Sequence, residues 1–105
     1  MTALYRVDKF VVPDRARDEF WTHVRRTHAV LRDQPGFLDD VLLEKHSGDG
    51  RFNAVTVVRW SSAADLPAAK AAVEDSHRAA AFRPAEFFEQ AGIDADLANY
   101  TAVEG

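Results

Sequence analysis

Cysteine is missing from this chain, which closes off disulfides, thiolate nucleophiles and iron–sulfur ligation. Basic residues are in the minority, 13 Lys and Arg against 17 Asp and Glu for a net charge of -4, and no basic cluster exceeds the Arg25-Arg26 pair. Such a balance leaves no electrostatic footprint for nucleic acid. No apolar run approaches the roughly 18 residues of a membrane span. The first residues, Met1-Thr2-Ala3-Leu4-Tyr5-Arg6, lead straight into strand-like sequence without the apolar stretch of a secretory leader. The expectation is a cytoplasmic protein with neither membrane nor nucleic-acid partners. Metal and phosphate sites are also poorly provided for. His23 and His28 stand five apart, and no other pair of histidines has metal-type spacing. Gly48-Asp49-Gly50 lacks the following helix that a phosphate loop needs, and no serine sits in a Gly-x-Ser-x-Gly elbow.

The 105 residues, 47% hydrophobic and 29% charged, are enough for one globular domain over the whole chain, 1–105. Residues 51–60 are its most telling stretch. Phe52, Ala54, Val58 and Trp60 share one face of a strand, while Val55 and Val57 occupy the other between Asn53 and Arg59. A strand that is apolar on both sides needs cover on both sides, and a chain this short has few helices to provide it.

Around that strand the pattern resolves into alternating elements. Leu4 to Val12 reads as a strand stopped by Pro13, with Asp14 as N-cap of a helix that runs to Gln34 on the spacing Phe20, Val24, Thr27, Leu31. Pro35-Gly36 ends it. Phe37 to His46 and Arg51 to Trp60 form a hairpin about the turn Ser47-Gly48-Asp49-Gly50. Ser61-Ser62 caps a second helix reaching about Phe82, which begins near Asp65 or Leu66 if Pro67 is to sit in its first turn. Arg83-Pro84 breaks that helix, and Pro84 to Ala91 forms a short third one closed by Gly92. Asp96 to Val103 is the last strand. The order predicts an α+β, ferredoxin-like βαββαβ domain, with helices on one face of a four-stranded antiparallel sheet. Val55, Val57, Leu38 and Leu42 are assigned to the bare face, where a second copy would cover them.

The chain resembles the antibiotic biosynthesis monooxygenase domains of the dimeric α+β barrel superfamily. Lys9-Phe10-Val11-Val12-Pro13, Phe20, Gln34-Pro35-Gly36-Phe37, the strand ending at Trp60 with its Ser/Ala/Asp helix start, and Asn99-Tyr100 carry the likeness over nearly the whole length. The resemblance implies a homodimer whose sheets close into a barrel, and a pocket in each subunit between helices and sheet. It further implies a cofactor-independent monooxygenase that attacks an aromatic quinol or anthrone of polyketide type with O2. The alternative is a non-catalytic small-molecule-binding or companion protein of a biosynthetic pathway. Heme degradation is a lesser reading. Relatives with that activity place a Trp ten residues before the ligand His, whereas Pro67 stands ten residues before His77 and the second helix has no Trp.

Candidate site residues follow from the faces. His77 continues the second-helix stripe Leu66, Val73, Ala80 toward the sheet, and an imidazole suits proton abstraction from a phenol. Its structural alternative is a core histidine satisfied by a carboxylate or carbonyl. Asp8 and Arg6 lie on an otherwise apolar face of the first strand, as a pair orienting His77 and balancing charge or simply as an ion pair. Phe10, Trp60, Val73, Phe82 and Phe87 are the expected pocket walls, with Arg59 as a further source of positive charge or a contributor to the dimer interface. His23 and His28 lie off the main stripe of the first helix and are expected to be partly solvated, and Trp21 to cover its edge.

Overall fold

The computed structural model describes residues 2–104. The elements come in the expected order: β1 Leu4–Val11, α1 Arg17–Arg32, β2 Phe37–Glu44, β3 Ala54–Trp60, α2 Leu66–Ala79, α3 Pro84–Ala91 and β4 Asp94–Thr101. All strand pairs are antiparallel, and β1 lies between β3 and β4 to give the order β2-β3-β1-β4. This is the ferredoxin-like arrangement. No helix among the described residues is long and apolar enough to cross a membrane.

The two-faced character of β3 is borne out: Ala54, Thr56, Val58 and Trp60 are buried, while Val55, Val57 and Arg59 between them are half-buried. The buried set faces the helices. Phe10, Val12, Phe20, Trp21 and Ile93 gather in one core cluster with Ala54, and Val58 and Trp60 form a second with Ala69 of α2. On the other face Val41 and Leu43 stay 45% and 46% exposed, beside Val57 and Val55. Burying residues of this kind is the largest favourable contribution to folding, about 1.5–3 kcal/mol for each large side chain.

Several local expectations need correction. Asp14 does not cap α1: it opens a 3-10 turn, Asp14–Ala16, in which Ala16 N–H donates to Pro13 O at 2.9 Å. Leu42 is not on the bare face but packs against the first core cluster. The cause is a bulge at Leu38, which lets Phe37 pair with Trp60 and Asp39 with Arg59. One surplus residue reverses the parity of all that follows. The open face of β2 is thus Asp39, Val41 and Leu43.

Helix α2 ends at Ala79, three residues early, in a Schellman motif. Phe82 N–H donates to His77 O at 2.8 Å and Ala81 N–H to Arg78 O at 3.1 Å, around Ala81 at φ 52°. The left-handed position holds alanine where glycine is usual. Ser62 likewise caps not α2 but a 3-10 turn ahead of it, Ala63–Asp65, its hydroxyl accepting from Ala64 N–H at 3.1 Å. Pro67 lies in the first turn of α2, and Gly92 closes α3 at φ 72°. Strand β4 starts and stops two residues earlier than expected.

Strand β3 starts at Ala54 rather than Arg51, because Asn53 bonds to the far end of β1. Its side-chain amide donates to Val12 O at 2.8 Å and its carbonyl accepts from Val12 N–H at 2.8 Å. Its backbone N–H donates to Phe10 O at 3.0 Å. This double clasp fixes the segment that carries Phe10 into the cavity described next.

Candidate active site

Between the helices and the sheet lies a cavity of about 230 Å³. Its floor is Asp8 and Phe10 of β1 with Thr56 of β3, and α1 contributes Phe20, His23, Val24, Thr27 and His28. His77 of α2, Phe82 and Pro84 before α3, Phe87 and Phe88 on α3, and Leu97 of β4 close the rest. Helical spacing explains the α1 set: 20, 24 and 28 stack at intervals of four, with 23 and 27 one position to the side. The aromatic walls pack edge to face, Phe10 on Phe20 at 4.9 Å and on Phe88 at 5.8 Å between ring centroids.

Three imidazoles reach this apolar space. His77 Nε2 lies 3.2 Å from Thr27 Oγ1, and its ring stands edge-on to Phe82. His23 stacks flat on the other side of that contact, 3.8 Å from the Phe82 centroid at 12°. Among the described residues, His23 Nδ1 is the buried side-chain nitrogen that finds no partner. Burial pushes both histidines below the usual imidazole value, Arg26 adding to the effect at His23 and His23 itself adding to it at His77, while Glu19 pulls His23 the other way. Both rings are therefore neutral near pH 7 and able to accept a proton. His28 is only 5% exposed, and its Nδ1 sits 2.8 Å from Asp40 Oδ2.

Two carboxylates behave differently. Burial raises the Asp8 carboxyl above its ordinary value, against the hydrogen bond from Arg6 Nε at 2.6 Å, the Arg6 charge and the charge of His28 whenever that ring is protonated. Burial also acts to raise Asp40, but hydrogen bonds from His28 and Arg32 outweigh it and hold the group low. The Arg6–Asp8 ion pair read as the structural alternative is thus present.

The residues expected at the site are only partly gathered. His77, Asp8, Phe10, Phe82 and Phe87 line the cavity, and Arg6 stands beside it through Asp8. Thr27, not Asp8, makes the hydrogen bond to His77. Val73 is half-buried on α2 but does not line the cavity. Trp60 is 2% exposed and packs edge-on against Phe37 at 5.9 Å in the second core cluster. Arg59 is on the open face of the sheet, bound to Asp39 by two guanidinium nitrogens at 3.1 and 2.6 Å. The sequence reading missed His23 and His28 as cavity residues: His28 is buried, while His23 is partly solvated as expected yet also lines the cavity. The ladder Phe20-Val24-His28 was the signal that places His28 inward. Trp21 is also more engaged than an edge cover, its Nε1–H donating to Glu44 at 2.9 Å.

No protein-family model matches the chain, and no curated protein matches it. Solved structures do. SnoaB, a cofactor-independent oxygenase from Streptomyces nogalater, is 23% identical over 100% of this chain and 97% of its own, with a TM-score of 0.68. A point mutant of MhuD, solved with two manganese protoporphyrin IX molecules per active site, is 19% identical over 97% of this chain and 96% of its own, with a TM-score of 0.73. A dimeric ferredoxin-like protein from an uncultured marine organism is 14% identical over 100% and 99% of the two chains, with a TM-score of 0.71. The chain shares the ferredoxin-like fold of these proteins, in keeping with its resemblance to the antibiotic biosynthesis monooxygenase domains.

Proposed function

We propose that this protein is a small monooxygenase that binds a hydroxylated aromatic compound, of quinol or anthrone type, in the cavity and oxygenates it with O2 without a cofactor. The observation that carries the reading is an apolar cavity walled by phenylalanines whose polar wall holds neutral imidazoles. Such a site takes a flat ring and removes a proton from its hydroxyl. The electron-rich anion passes one electron to O2, and the radical pair recombines at a ring carbon. One oxygen atom stays on the substrate and the other leaves as water, so a quinol becomes a hydroxyquinone and supplies all four electrons. At about 230 Å³ the cavity falls below the range of about 300–1,000 Å³ for drug-sized ligands, which favours a compact, flat ring system over a larger polyketide. His77 is the base, with Thr27 steadying its ring, and Asp8 with Arg6 completes the polar wall.

A porphyrin does not fit these residues. The macrocycle is larger than the cavity, and His77 Nε2, the nitrogen that would meet iron, is turned to Thr27 Oγ1. The open sheet face suits a second copy of the chain, whose own Val41, Leu43 and Tyr100 would cover this one's.

Oxygen uptake against a panel of naphthoquinols and anthrones, without added metal or flavin, tests the reading. His77→Ala and heat-killed protein control for autoxidation. Uptake above both controls, falling by about 10²-fold or more in His77→Ala, is expected. Full turnover by His77→Ala removes His77 from the mechanism. Ligand binding with no uptake makes the chain a binding or companion protein instead.

A further inference from the structure

The mechanism so far leaves unused the most deeply buried imidazole of the molecule. His28 Nδ1 is engaged by Asp40 at 2.8 Å, and Asp40 is itself held by Arg32 at 2.9 Å. Among the described residues the other ring nitrogen, Nε2, has no hydrogen-bond partner and is not one of the sealed-off buried atoms, and His28 lines the cavity. A carboxylate on Nδ1 keeps the proton there and leaves the Nε2 lone pair free to accept one. It also stabilises the imidazolium that forms, as the acid does in an Asp–His–nucleophile triad. The sheet builds this arrangement. The bulge at Leu38 puts Asp40 on the helix side of β2, opposite Val58, and α1 lays His28 over it.

We infer that His28, oriented by Asp40, is a proton acceptor on the α1 wall of the cavity, taking the proton of a substrate hydroxyl that points toward it. The inference rests on the phenol-binding reading above. The O–H bond of the bound phenol breaks, its proton moves to His28 Nε2, and the electron pair stays on oxygen. The proton returns to reduced oxygen as water leaves. A quinol, with hydroxyls at opposite ends of its ring, presents one to His28 and one to His77. Asp40 acts as a positioning residue, since it touches the imidazole and not the substrate. The other charged and titratable groups facing this end are Asp8 and Arg6 from β1 and Arg32 one turn along α1, with His23 and His77 across the cavity.

The test uses 4-nitrophenol, whose anion is yellow, added without oxygen to the full-length protein at a pH where the free probe is largely neutral. Binding is measured by equilibrium dialysis and ionisation by the absorbance of the bound fraction. Wild type is expected to bind the probe mainly as the anion. His28→Gln and Asp40→Asn are expected to lower the anion fraction of the bound probe at least 10-fold while still binding it. Nitrogen-15 NMR of the wild-type imidazoles reads the same event without a substitution. His28 is expected to carry its proton on Nδ1 when empty and to gain one on Nε2 with the probe. Asp40→Asn is expected to disturb the resting tautomer. Anion that persists in His28→Gln, or a His28 Nε2 that stays unprotonated in the wild-type complex, overturns the inference and leaves the phenol pocket standing. Failure of wild type to bind the phenol overturns both.

Discussion

Replacing Asn53 by alanine is expected to lower stability by about 2–4 kcal/mol, and the figure follows from one side chain. Asn53 meets Val12 twice, at 2.8 Å each way, across 41 positions of sequence. Val12 is buried in the first core cluster, so water is poorly placed to take over its amide and carbonyl. Each lost hydrogen bond forfeits about 1 kcal/mol net, and each stranded buried group adds about the same or more. Against a total near 5–15 kcal/mol for a domain of this class, the clasp is a large share. With a urea m-value of about 1.5 kcal/mol/M, the unfolding midpoint should fall by about 2 M.

Asn53→Asp separates the two bonds. A carboxylate can still accept from the Val12 amide but repels the Val12 carbonyl, so the loss at neutral pH should match or exceed that of Asn53→Ala. Protonation restores a donor. The introduced carboxyl then has a folded pKa above its unfolded one, so its stabilisation is present below the unfolded value and disappears as pH rises through the folded one. A midpoint shift under about 0.5 M for Asn53→Ala, or no recovery of Asn53→Asp in acid, would refute the reasoning.

Two further outcomes are expected. Glu44, hydrogen-bonded first by Arg17 and then by Trp21, is held down to about 2. Its contribution should be complete above the ordinary carboxylate value and lost as pH falls through about 2, which the indole N–H resonance of Trp21 would follow; a midpoint near 4.5 contradicts the bond. On the open face, Val41→Glu with Leu43→Glu should convert a dimer of wild type to a monomer by sedimentation equilibrium, and a wild type that sediments as a monomer at micromolar concentration removes the second copy from the proposal.

The element order was legible because each element carries its own periodicity and its own stop. Pro13, Pro35-Gly36, Pro84 and Gly92 punctuate the chain where the structure turns. Other features left no such mark. The end of α2 is a Schellman motif with Ala81 in the position where glycine would advertise it, so the helix reads three residues too long. A bulge adds a residue without altering composition, so Leu42 was assigned to the wrong face. At the site, His77 was visible from its helical stripe. His23 and His28 lie off the main stripe of α1, yet a stripe wide enough to cover a sheet takes in positions on both sides of its centre line. Arg59 and Trp60 stand next to each other in sequence, and the strand sends one to each face, neither of them to the cavity.

The bulge has a bearing on which changes of length the chain tolerates. Leu38 has no cross-strand partner of its own, so a chain lacking it would keep Phe37 against Trp60 and Asp39 against Arg59. Loss of Val41 instead would slide Asp40 out to the open face and bring Asp39 into its place opposite Val58, so that a different aspartate would lie under His28. Two deletions of one residue each, three positions apart, thus both leave a strand without a bulge: the first keeps the acid that holds His28, and the second exchanges it for its neighbour and takes Asp39 away from Arg59.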